Sequence, residues 1–136
     1  MVAYIQKSKT DNWSTPNSLL TEICGSRDFY DPCPAGGGEE FDGLAVDWPR
    51  KPALVFCNPP YSALRKWTLK CKQEHAKGSE IKLLMPARVS AHYFHENVLG
   101  HATITFVKGK RKFILQSTGL PAENCCPFDL IVAHYQ

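Results

Sequence analysis

The run Ala53-Leu-Val-Phe-Cys57, followed at once by Asn58-Pro-Pro-Tyr61, constrains this chain more than any other feature. An unbroken apolar stretch of strand length reads as a strand buried on both faces. Such a strand needs covering layers above and below it, which is the situation of a parallel sheet wrapped by helices. Two consecutive prolines then stop it, because each lacks an N–H and fixes φ. A stop of this kind is either an ordinary loop or a rigid cradle built to hold something.

The flanking sequence agrees with a layered α/β arrangement. Residues 14–25, STPNSLLTEICG, carry helix start and stop signals. Ser14 or Thr15 can act as N-cap, Pro16 takes the first helical position and Gly25 terminates. A short strand is expected at Asp28–Asp31, before a loop at 31–38 too rich in Pro and Gly for a regular element. Ser62 can cap a helix from about Ala63 to Lys77, closed by Gly78, with Leu64, Trp67 and Cys71 on one face. EIKLLMP is the next strand, stopped by Pro86, and Ser90 can cap a shorter helix through about Leu99. ATITFVKG, KFILQ and FDLIVAHY read as closing strands, the last two antiparallel to a neighbour. The expected fold is one α/β domain over 1–136, a parallel sheet with antiparallel strands added at one side. In such sheets ligands bind at the carboxyl ends of the strands, where the loops at 31–38 and 58–61 both fall.

Composition bounds the rest. The 136 residues suit one domain, and 43% hydrophobic with 21% charged residues is ordinary for a globular chain. A net charge of +3 permits a polyanionic partner without demanding one. Six cysteines occur without any C-x-x-C, and His92 and His95 stand far from the adjacent pair Cys125-Cys126. This argues against zinc and against a disulfide framework, so we expect reduced thiols, a cytoplasmic location and no metal site. No signal-peptide pattern opens the sequence and no apolar run reaches the length of a membrane span.

Asn58-Pro-Pro-Tyr61 directly after an apolar strand resembles the catalytic motif of methyltransferases that act on exocyclic amines of nucleobases. Other landmarks stand in a matching order: Trp13-Ser-Thr-Pro16, Asp31-Pro-Cys33, Asp42-Gly-Leu44 with Trp48, Asn58-Pro-Pro-Tyr-Ser62 and Phe106-x-x-Gly109-Lys110-x-x-Phe113. Together they resemble the small phage-type (Dam-like) DNA N6-adenine methyltransferase family, from Trp13 to about Phe128. The resemblance implies a minimal class I methyltransferase, Rossmann-like, that uses S-adenosyl-L-methionine to methylate adenine in DNA. It also implies base flipping of the target into the Asn58–Tyr61 pocket.

Each motif has a physical rationale. The adenine N6 lone pair is delocalised into the ring, so the amine is a poor nucleophile. The Asn58 side-chain carbonyl and the Pro59 backbone carbonyl can accept both its N–H groups, freeing the lone pair and stabilising developing positive charge. Pro59 and Pro60 stiffen the loop, and Tyr61 can stack on the base. FYDPCPAGGG resembles the cofactor-binding loop, with Cys33 where an aromatic residue is commoner. The resemblance sets Asp31, Pro32 and Cys33 beside the cofactor. Thr15 and Pro16 resemble the motif that meets its carboxylate, although a simple helix cap predicts the same residues. Trp13 either packs over the cofactor or joins the core.

In related enzymes an acidic residue at the end of the next strand binds the ribose hydroxyls. Asp42 and Asp47 are the candidates, with Asp42 preferred for its place in DGL. On the substrate side, Lys108, Lys110, Arg111 and Lys112 can contact phosphates. Arg88 is a further phosphate or substrate candidate. Phe113 can stack on the flipped base opposite Tyr61, or pack in the core.

Only about twenty residues separate the Gly36–Gly38 run from Asn58, less than a full methyltransferase sheet uses. The adenine end of the cofactor would then rest on Phe41, Leu44 and Trp48 or stay partly open. No segment resembles a target recognition domain, so specificity is expected to be short-range or supplied by a homodimer or an accessory subunit. Single-stranded DNA, RNA, cytosine N4 or a protein glutamine remain alternative acceptors. A catalytically silent nucleic-acid-binding module is the alternative outside enzymes.

Overall fold

The computed structural model describes residues 13–34, 42–115, 119–122 and 124–136. The backbone of Trp13 and Leu115 is described, but not their side chains. The first element, β1 (Trp13–Ser14), leads into α1 (Asn17–Cys24), β2 (Phe29–Tyr30) and β3 (Leu54–Cys57). A 3₁₀ turn at Tyr61–Ala63 opens into α2 (Leu64–Ala76), followed by β4 (Glu80–Pro86) and α3 (His92–Asn97). Strands β5 (Thr103–Phe106), β6 (Ile114–Leu115) and β7 (Leu130–Tyr135) close the chain.

Five strands form one mixed sheet in the order β2-β3-β4-β7-β5. β2, β3 and β4 run parallel, and β7 pairs antiparallel with both β4 and β5. Together with the flanking helices this is the small Rossmann-like α/β architecture that the sequence led us to expect. β3 is buried on both faces, as its composition requires: all four residues are inaccessible. Val55 and Cys57 face a core shared with Leu64, Trp67 and Cys71 of α2 and Phe94 of α3. Leu54 and Phe56 face a second core with Leu19 and Ile23 of α1 and Phe113. The pleat thus sorts alternate residues onto opposite helical layers.

Several local expectations are corrected. Pro16 is the N-cap of α1, with no side-chain cap bond, so neither Ser14 nor Thr15 caps that helix. Gly25 does end it, at φ 63°. Ser62 lies within the 3₁₀ turn and Ala63 holds the N-cap of α2. Ala91, not Ser90, precedes α3, which stops at Asn97. Among the described residues of KFILQ, Ile114 and Leu115 form the strand, and they pair antiparallel with β1 in a separate two-stranded ladder. Among the described residues no strand or helix lies between β2 and β3.

A buried carboxylate anchors the described part of that link. The Trp48 backbone N–H donates to Glu74 Oε1 at 2.8 Å, and Arg50 Nη1 donates to the same oxygen at 3.0 Å. Lys70 and Lys77 reach Glu74 Oε2 at 3.0 and 3.3 Å. Burial alone would raise this carboxyl, but the bonds from Trp48, Lys70 and Arg50 more than reverse that and hold it at about 2. Trp48 itself is 2% exposed, stacked on Trp67, with its indole N–H on the Gly43 carbonyl at 2.9 Å. It is therefore core and not a wall for a cofactor.

A depressed carboxylate stabilises the fold above its ordinary value and loses that contribution as pH falls through its folded value. Glu74 should accordingly sustain the fold above its reference 4.5 and release that stability towards pH 2. Replacing it by Gln should cost about 3 kcal/mol at neutral pH, because three cations lose their shared anion. Urea midpoints measured from pH 7 down to 3 should show wild type and Glu74→Gln converging as the pH drops.

Candidate active site

The parallel strands β2, β3 and β4 end side by side, and the residues that follow them converge. After β2 comes Asp31, after β3 comes Asn58, and after β4 come Ala87 and Arg88. The start of α1 closes over the first two. The resulting cleft is lined by the polar residues Ser14, Thr15, Asp31, Cys33 and Asn58 and by the apolar side chains of Leu20, Phe29 and Phe56. Phe29 and Phe56 meet edge to face, with ring centres 5.4 Å apart.

Asn58 is the first residue beyond the buried strand, and Pro59 behind it is itself buried. The Asn58 Nδ2 group donates to Thr15 Oγ1 at 2.8 Å, leaving the amide oxygen as the acceptor end. Pro60 is extended at φ −60° and ψ 128°, and its carbonyl accepts the Ala63 N–H at 3.0 Å. The two prolines therefore hand the chain directly from strand to helical turn. Asp31 Oδ1 accepts the Cys33 N–H at 2.9 Å, which bends the loop back towards the cleft. Burial pushes the Asp31 carboxyl up, and the Cys33 bond partly offsets this.

Four of the residues singled out from sequence, Thr15, Asp31, Cys33 and Asn58, thus share one cleft, with Pro16 at the head of α1. Trp13 contributes its backbone to the ladder with Leu115. Pro32 is buried beneath Gly43, whose place admits no side chain: a Cβ there would lie 1.8 Å from the Pro32 carbonyl oxygen. The glycines at 36–38 and Phe41 lie outside the described residues.

The remaining candidates stand elsewhere. Asp42 is exposed and its Oδ1 accepts the Leu44 N–H at 2.9 Å, closing its own turn. Asp47 is exposed and lies 3.5 Å from Lys77. Among the described residues no strand lies between β2 and β3, so neither carboxylate stands at the end of a described strand. Lys110 meets Asp129 at 3.2 Å on the surface. Arg111 forms a two-pronged pair with Glu22 of α1, at 2.6 and 2.9 Å, and also donates to the Lys108 carbonyl. Phe113 is 6% exposed within the α1 core.

Beyond Asn58 a second group gathers around Tyr61. Its ring meets Phe128 edge-on at 5.9 Å, and its hydroxyl is buried with no hydrogen-bond partner among the described residues. Burial pushes that phenol well above its ordinary value. The Arg88 guanidinium lies over the Phe128 ring at 5.2 Å and donates to the Tyr61 carbonyl at 3.5 Å. Phe128 was not singled out from sequence. Its signal was an aromatic residue just ahead of the apolar run of β7, indistinguishable there from a first strand residue.

Among the described residues no group of three His, Cys, Asp or Glu is placed to hold a metal, and no helix is long and apolar enough to cross a membrane. A family model described as DNA N-6-adenine-methyltransferase (Dam) matches residues 3–134. No curated protein and no solved structure matches the chain.

The close approach at Gly43 predicts a clear failure. Gly43→Ala drives a methyl into the Pro32 carbonyl and should destabilise the fold by about 1–3 kcal/mol, read as a lower denaturant midpoint.

Proposed function

Since the chain belongs to the DNA N-6-adenine-methyltransferase (Dam) family, whose reaction is S-adenosylmethionine-dependent methylation of adenine in DNA, we propose that Asn58 and the Pro59 carbonyl form its amine cradle. The observation that carries this reading is the Asn58 amide, set at the end of a fully buried strand with its donor end engaged by Thr15. In this reading the target adenine leaves the duplex, at a cost of a few kcal/mol that is least on distorted or single-stranded DNA. Asn58 Oδ1 and the Pro59 carbonyl each accept one N6–H bond. The amine lone pair is then withdrawn from the ring and directed at the methyl carbon. As nitrogen forms its bond to that carbon it becomes positive, and the two acceptors stabilise that charge where it develops. The methylated nitrogen then loses a proton to water, so no basic side chain is needed.

The cleft fits the methyl donor. It joins hydrogen-bond acceptors at Asp31 and Asn58 to the apolar surfaces of Leu20, Phe29 and Phe56. The start of α1 offers backbone N–H groups that favour a carboxylate. S-adenosylmethionine bound there supplies a methyl group on a positively charged sulfur, which keeps the C–S electron pair when the methyl leaves. Thr15, Pro16, Asp31, Pro32 and Cys33 would hold this cosubstrate, and Tyr61 would support the adenine on the other side of Asn58. Lys108 and Lys112, with Lys110, are the cations we assign to DNA phosphates. Arg111 serves α1 through Glu22 instead.

The decisive experiment supplies methyl-labelled S-adenosylmethionine with DNA, RNA and protein acceptors, then identifies the modified base. Label should enter DNA as N6-methyladenine, and Asn58→Ala should lower the rate by about 10²–10³-fold. Cosubstrate binding without transfer to any acceptor would instead identify a silent nucleic-acid-binding module. Specificity should also be short, since no separate recognition domain is assigned within 1–136. Methylation of a randomised duplex library by the monomer should return a short consensus, and a strict long site would refute that.

A further inference from the structure

We propose that Thr15 is a positioning residue that decides which end of the Asn58 amide meets the substrate amine. The inference rests on the amine-cradle reading above. An amide side chain has a donor end and an acceptor end of nearly the same shape, and only the acceptor end can receive the N–H groups of an exocyclic amine. Turned the other way, Asn58 would present its NH₂ to another NH₂, donor against donor. The packing around a planar amide distinguishes the two orientations poorly, so a hydrogen bond must do it. That bond is Asn58 Nδ2 to Thr15 Oγ1, at 2.8 Å, within the cleft that both residues line.

Thr15 is itself held from both sides. Ser14 and Trp13 before it pair with Ile114 and Leu115. Pro16 after it is fixed at φ −65°, and its carbonyl accepts the N–H groups of Leu19 and Leu20, each at 3.0 Å. The backbone around Thr15 is therefore held, but a hydroxyl can donate as well as accept, so it selects the NH₂ end of the amide only while its own proton is committed to another acceptor. The same hydroxyl retains one function. It accepts from Asn58 through a lone pair, so its single proton remains to be donated. An S-adenosylmethionine carboxylate bound in this cleft would take that proton, leaving Thr15 Oγ1 able only to accept, so that the amide keeps its NH₂ towards Thr15 and its oxygen towards the substrate. Cosubstrate binding would draw electron density towards the oxygen and strengthen its hold on Asn58, coupling donor occupancy to the readiness of the cradle.

The test compares wild type with Thr15→Val, which keeps the shape and removes the lone pair, and with Thr15→Ser, which restores the hydroxyl. At saturating S-adenosylmethionine and DNA, Thr15→Val should lower kcat by about 10- to 100-fold. Its affinity for DNA and its thermal midpoint should stay unchanged, and Thr15→Ser should recover most of kcat. In ¹⁵N spectra the Asn58 side-chain NH₂ should exchange slowly in wild type and in Thr15→Ser, and rapidly in Thr15→Val. Full kcat in Thr15→Val would overturn the proposal, as would a loss confined to S-adenosylmethionine affinity, which belongs to a ligand and not a positioner. If the valine variant fails to fold, a fast-exchanging Asn58 NH₂ in wild type overturns the proposal alone. Wild type that methylates no acceptor overturns the preceding functional reading, while the ¹⁵N signal still reports on Thr15 and Asn58.

Discussion

The double-sided burial of β3 is the constraint on which the rest of this molecule depends. Leu54 and Phe56 are committed to the α1 layer, and Val55 and Cys57 to the layer of α2 and α3. A shift of one residue would exchange the two sets and empty both cores of their shapes. The residue after the strand therefore has one position available to it. Asn58 inherits the rigidity of the core without belonging to it, and the prolines prevent the loop from relaxing that position. β2 and β4 flank β3 in parallel, so Asp31 and Arg88 arrive on either side of Asn58 as a consequence of sheet order alone. The site is in this sense an edge of the core.

Among the described residues, the short link between β2 and β3 carries no strand or helix of its own. Ordinary α/β domains hold such a segment by burying another amphipathic element. Here one inaccessible carboxylate gathers a backbone N–H and three cationic side chains from residues 48–77. Trp48 fills the space beneath, stacked on Trp67 with Lys70 5.7 Å from its ring centre. Gly43 allows the link to lie directly on Pro32. A polar hub is a costly substitute for apolar area, since it leaves a buried charge whenever one partner is lost. It is also compact, and compactness is what so short a segment requires.

Legibility in the sequence followed the range of the interactions. β3, β4, β7 and α2 could be read because burial writes itself along consecutive residues, as unbroken apolar runs or as Leu64, Trp67 and Cys71 on one helical face. The family landmarks led to Thr15, Asp31 and Asn58, which the structure gathers into one cleft. The β1–β6 ladder could not be read, because two residues carry no alternation. Thr15 looked like a helix cap because a threonine before a proline has that appearance whether its hydroxyl serves the helix or a distant amide. Asp42 and Asp47 were weighed as residues at the end of a strand that the described chain does not contain. Trp48 suggested a binding surface where three-dimensional packing made it core. Arg111 read as one of four equivalent cations, and nothing near it in sequence announces Glu22.

The β1–β6 ladder also bears on the order in which the molecule comes into being. Asn58 and its strand leave the ribosome early, together with α1 and the loop after β2. The segment that steadies Thr15 does not exist until Ile114 and Leu115 have been made. Synthesis advances at roughly 5–20 residues per second, so an emerging chain spends seconds with its central sheet begun and the β1–β6 ladder unformed. The strand that pairs with Trp13 and Ser14 belongs to the last sixth of the polypeptide. A nascent or truncated chain would hold the residues of the cleft but lack the strand that orders them. The ladder that holds the residues before Thr15 thus closes only when the molecule is almost whole.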